Sequence, residues 1–117
     1  MDYIQGSDDI IKDYGYWPDF HDDYMEKINI SGSKIELLIK MVTIPKEFNE
    51  YYVKIIFEDV VDFKLEGELL GITCIILDLE IKIDAQNTMN CHIYSSLGTS
   101  GFIRAKKVTV TKLHKEI

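Results

Sequence analysis

Ile75-Ile76-Leu77-Asp78-Leu79-Glu80-Ile81-Lys82-Ile83 is the stretch on which the fold turns. From Leu77 onward, aliphatic and charged residues alternate one for one, the period of a strand with one face on a core and the other in water. The spacing predicts a strand over 72–83 with Ile75, Leu77, Leu79, Ile81 and Ile83 inward and Asp78, Glu80 and Lys82 outward. Downstream, Met89, Cys91 and Ile93 form a second inward set, with Asn90, His92 and Tyr94 outward. Beyond a Ser/Gly loop over 95–101, Ile103 and Ala105 share one parity while Val108 and Val110 share the other. A β-bulge at Lys106-Lys107 would produce that slip.

Upstream, Val53, Ile55 and Phe57 alternate, as do Val61, Phe63 and Leu65, and Gly67 closes the second run. Before the linker around Pro45 to Asn49, Ile35, Leu37, Ile39 and Met41 share one face. Ser31-Gly32-Ser33 turns them back on Tyr24, Ile28 and Ile30 as a hairpin. A short helix is expected at 8–14, with Ser7 as N-cap, Asp8 and Asp9 in the first turn, Gly15 at its end, and Ile10, Ile11 and Tyr14 buried. These elements predict a mainly β domain with an α+β minority: about seven antiparallel strands as a sandwich or curled meander, with one short N-terminal helix. At 117 residues the whole chain, 1–117, reads as one domain with a core of its own.

The longest apolar run, Ile75-Ile76-Leu77, is far too short to cross a bilayer, and no basic n-region precedes an apolar stretch, so a cytoplasmic protein without membrane contact is expected. Cys74 and Cys91 then read as reduced core thiols, and the sequon at Asn29 as unglycosylated. Net charge is −7, and all of it lies in residues 1–26, where Asp2, Asp8, Asp9, Asp13, Asp19, Asp22, Asp23 and Glu26 face a single base, Lys12; the remaining 91 residues carry twelve acids and twelve bases. A field of one sign at one end suits a cationic protein partner and disfavours nucleic acid. The locally basic end, with Arg104, Lys106, Lys107, Lys112 and Lys115, could instead pair with it.

Residues 14–23, Tyr14-Gly15-Tyr16-Trp17-Pro18-Asp19-Phe20-His21-Asp22-Asp23, crowd aromatic, proline, histidine and acidic residues into one non-repetitive string. Trp17, Pro18 and Phe20 read as a structural motif that caps the core, and Tyr16, Asp19, His21, Asp22 and Asp23 as partner-facing candidates. His21 beside Asp22 also holds the ingredients of a small metal- or ligand-binding enzyme. On an extended segment the two side chains would diverge, however, and His92 and His114 lack ligand spacing, so neither metal nor cofactor is expected. No nucleophile elbow, phosphate-binding glycine loop or catalytic residue emerges, and Cys91 next to His92 on a strand points away from it.

The string resembles the Trp-Pro-x-Phe-His-Asp signature of the immunity protein 50 family of bacterial polymorphic toxin systems. Phe57 to Phe63, Ile72 to Ile83 and Gly98 to Val110 are similar to that family's strand order. The resemblance implies a protein that neutralises a cognate toxin by binding it; the acidic charge points to a basic toxin, no enzymatic activity is expected, and the edge strands of a small β domain leave a monomer or a homodimer.

Overall fold

The computed structural model describes residues 3–43, 51–67 and 74–114. Its elements run β1 (Ile4–Gln5), α1 (Ser7–Tyr14), β2 (Tyr24–Ser31), β3 (Lys34–Met41), β4 (Tyr51–Glu66), β5 (Cys74–Ile83), β6 (Met89–Leu97) and β7 (Ser100–Leu113). The protein is mainly β, and its described residues form seven strands in one sheet. Strands β2-β3-β4 and β5-β6-β7 are two antiparallel three-stranded meanders, and β4 pairs with β7 while β2 pairs with β5. The two edge-to-edge seams close the sheet on itself, so of the two arrangements expected it takes the curled one.

Among the described residues the two seams are very unequal. The β4–β7 seam runs from Tyr52↔Leu113 to Glu66↔Ser100, whereas the β2–β5 seam has Tyr24↔Ile75 and Met25↔Cys74 as its pairs. Beside β7 lies β1, whose Ile4↔Val108 and Gln5↔Thr109 are parallel pairs on an otherwise antiparallel sheet. The strand number agrees with the expected seven for a compensating reason. Residues 53–58 and 61–65 form one strand rather than two, and the two-residue β1 makes up the count.

Bulges explain where the alternation misleads. In β2 the register shifts between Met25 and Lys27, so Met25 is buried while Tyr24 is only partly covered. In β5 it shifts at Ile75/Ile76 and again before Asp78, so Cys74 and Ile76 point inward and Leu77 is 48% exposed; Leu79 and Ile81 then resume the expected phase. The slip at Lys106-Lys107 is real in burial, Ala105 and Val108 both being buried, but the pairing register passes through it unbroken. Opposite it Asp59 takes a left-handed φ of 53°, and the register shift falls in β4 between Val60 and Asp62. Val61 and Phe63, expected inward, are exposed as a result.

Inside the closed sheet Leu37, Ile39, Val53, Ile55, Phe57, Leu79, Cys91 and Ile103 form the centre of one apolar core. Helix α1 lies against β7 and adds Ile10. Gly15 ends it at φ 82°, donating to the Ile11 carbonyl, as its position predicts. The N-cap is Gly6, not Ser7, which is the first helical residue and is buried. Only glycine fits at Gly6, because a Cβ there would stand 2.3 Å from the Val110 carbonyl oxygen. No helix among the described residues is long and apolar enough to cross a membrane. The expected Pro45–Asn49 linker and the first residues of the strand expected from Ile72 lie outside the described residues.

Candidate functional site

The string from Trp17 to Asp23 is neither strand nor loose connection. Proline forces the residue before it into an extended conformation, and buried Pro18 does so for Trp17, whose indole meets the Phe20 ring edge-on at 5.5 Å. Phe20 is 1% exposed and drives into the core. Phe20 and Asp22 have left-handed φ values of 61° and 67°, and the Asp23 N–H donates to the Phe20 carbonyl at 3.0 Å, which closes a turn. Asp19 Oδ1 braces that turn by accepting the His21 N–H at 3.0 Å.

The turn is strapped along β5 where the strand's own register breaks. Asp22 N–H donates to the Ile76 carbonyl (2.8 Å), Ile76 N–H to the Asp23 carbonyl (2.9 Å), and Leu79 N–H to the Asp19 carbonyl (2.9 Å). His21 Nδ1 lies 2.7 Å from the Leu77 carbonyl oxygen. A carbonyl only accepts, so Nδ1 carries the proton and Nε2 is the basic nitrogen. The string therefore prolongs the short β2–β5 seam by supplying the partners that β2 does not.

This turn also does what an extended segment could not. It brings His21 Nε2 to 3.4 Å from Asp22 Oδ2, with both side chains more than half exposed. The Leu77 carbonyl, then the Asp22 carboxylate, then Asp19 and Asp78 push the imidazole's pKa above its ordinary 6.5. A raised histidine pKa means that the folded state holds the proton more tightly. Its contribution to stability is full below about pH 6.5 and fades as pH rises through the folded value. An NMR titration should place the His21 midpoint above 6.5, and Asp22→Asn should move it down; a midpoint at or below 6.5 would contradict this geometry.

Asp78 of β5 joins Asp19 and Asp22 around the imidazole, and Glu80 stands beside Asp78. Burial first, then the charges of Glu80 and Asp19, push the Asp78 carboxyl above its ordinary 3.8. Among the described residues no three His, Cys, Asp or Glu side chains are grouped so as to hold a metal ion. No protein-family model, no curated protein and no solved structure matches this chain.

Of the other candidate residues, Tyr16 is exposed beside Tyr14, their rings 6.2 Å apart. Asp23 departs from the expectation of a partner-facing carboxylate, since it is 0% exposed. Its Oδ1 accepts the Val42 N–H (2.8 Å), the Thr43 N–H (3.0 Å) and the Thr43 hydroxyl (2.9 Å), which fastens the chain beyond β3 to the strap. Asp13 is also withdrawn from the surface field: its Oδ2 lies 2.8 Å from Lys112 Nζ, and its side chain is 5% exposed. Burial raises its pKa, but the Lys112 ammonium and the nearby Tyr51 hydroxyl outweigh that and hold it below the ordinary value. Asp8, Asp9, Asp19, Asp22 and Glu26 remain exposed. The residues that sequence reasoning missed are Asp78 and Glu80, which it treated as the outer face of a strand.

Proposed function

We propose that this chain is an immunity-type inhibitor that binds and neutralises a cognate bacterial toxin domain, holding an acidic surface against a basic one. The observation that carries the reading is the placement of Asp19 and Asp22, on a turn tied to β5 by three backbone hydrogen bonds, beside Asp78 and Glu80. Like charges held together on a stiff backbone repel one another. A cationic partner relieves that repulsion without having to order the backbone first. The likeness of Trp17 to Asp22 to an immunity-protein signature supports the same reading.

The test is binding to the polypeptide encoded beside this chain, measured by calorimetry at low and high salt. Affinity should fall at least about tenfold on raising the salt, and a similar amount in Asp19→Asn/Asp22→Lys, which keeps the Oδ1 acceptor for the His21 N–H and whose circular dichroism should be unchanged. Affinity that ignores both salt and charge reversal would end the proposal. The second reading, an acid–base or ligand-binding pair, has the 3.4 Å approach of His21 to Asp22 in its favour. Metal in the purified protein that is lost in His21→Ala would favour it.

A further inference from the structure

Next to the strap lies an open groove of about 300 Å³. Tyr3 and Trp17 form part of its lining, together with Pro18 and Leu79, and it carries two acids, Asp19 and Glu80. We infer that this groove receives an arginine side chain of the partner protein, an inference that rests on the acidic-surface reading above and gives it a point of attachment.

Three features of the groove select that side chain. Its aromatic residues are held in place: the Tyr3 hydroxyl donates to the Ile81 carbonyl at 3.0 Å, and Trp17 meets buried Phe20 edge-on and is followed by buried Pro18. Fixed aromatic rings favour a planar cation, because a guanidinium stacks on a ring while an ammonium offers only a point charge. Asp19 is likewise fixed, its carbonyl bonded to Leu79 N–H and its Oδ1 to His21 N–H, which leaves Oδ2 to accept an N–H of a guanidinium. Finally, the groove's own cation does not fill the role. Lys82 Nζ stands 3.2 Å from Glu80 Oε2, but its side chain is 75% exposed, and an exposed pair of that kind gives way readily to a better-placed cation.

Trp17 is the only tryptophan, so its fluorescence and its indole N–H resonance report on the groove in the protein alone. The probes are three capped tripeptides, Gly-Arg-Gly, Gly-Lys-Gly and Gly-Leu-Gly. A saturable Trp17 response to the arginine peptide is expected, about fivefold tighter than to the lysine peptide, and weakened by a similar factor in Glu80→Gln. Equal responses to arginine and lysine, a response to the leucine peptide as strong as to arginine, or no response at all would overturn the inference. Because no partner is present, its failure is separable from failure of the function proposed above: partner binding that still depends on Asp19 and Asp22 while the peptides leave Trp17 unmoved refutes the arginine groove alone.

Discussion

Phe20→Ala is expected to destabilise the protein by about 4 kcal/mol, a large share of the roughly 5–15 kcal/mol that holds a domain of this size together. The side chain is 1% exposed and carries the edge of the Trp17 indole, so its removal opens a cavity and loosens Trp17 at the same time. Urea unfolding followed in parallel by Trp17 fluorescence and far-ultraviolet circular dichroism measures the loss. A loss below about 1 kcal/mol would show that Phe20 is not a wedge in the core.

Asp23→Ala should cost on the order of 3 kcal/mol, since it leaves the Val42 and Thr43 N–H groups without their buried acceptor. Asp23→Asn retains the Oδ1 acceptor and should cost only about 1 kcal/mol at neutral pH. The pair of variants also separates hydrogen bonding from charge. Burial pushes the Asp23 carboxyl above its ordinary 3.8, against the opposing pull of the Val42 and Thr43 donors. In the folded protein the proton is therefore held to higher pH than in the unfolded chain. Stability then falls as pH rises from the unfolded value through the folded one, the opposite of a salt-bridged aspartate. The wild type should show this decline between pH 4 and neutrality relative to Asp23→Asn, in urea midpoints measured across that range. Parallel curves for the two proteins would mean that Asp23 titrates alike in both states.

Signals carried by neighbouring residues were legible in the sequence. Gly15 ends α1 where expected, Gly32-Ser33 turns β2 into β3, and the inward faces of β3 and β6 follow simple alternation. What could not be read is set by partners far along the chain. The phase of β5 changes at Ile76 because Asp22 and Asp23 take the hydrogen bonds there, more than fifty positions upstream. Asp23 looks like its acidic neighbours until Thr43, twenty positions away, is seen to donate to it. His21 and Asp22 meet because two non-glycine residues, Phe20 and Asp22, adopt left-handed backbone angles, which Asp tolerates but a bulky Phe seldom takes. The acidic cluster was half visible, since Asp19 and Asp22 were singled out while Asp78 and Glu80 were not.

The inequality of the two seams has a mechanical consequence. Among the described residues the cylinder is zipped along one long border and clasped along the other by Tyr24, Met25 and a single turn, and it is expected to part first at the clasp. Amide protons of Ile76 and Leu79 would then exchange ahead of those in the middle of β4 and β7. Anything gripping the outside of that clasp acts as a rivet, adding its own binding energy to the weakest join of the cylinder, so recognition at this point and resistance to unfolding rise together.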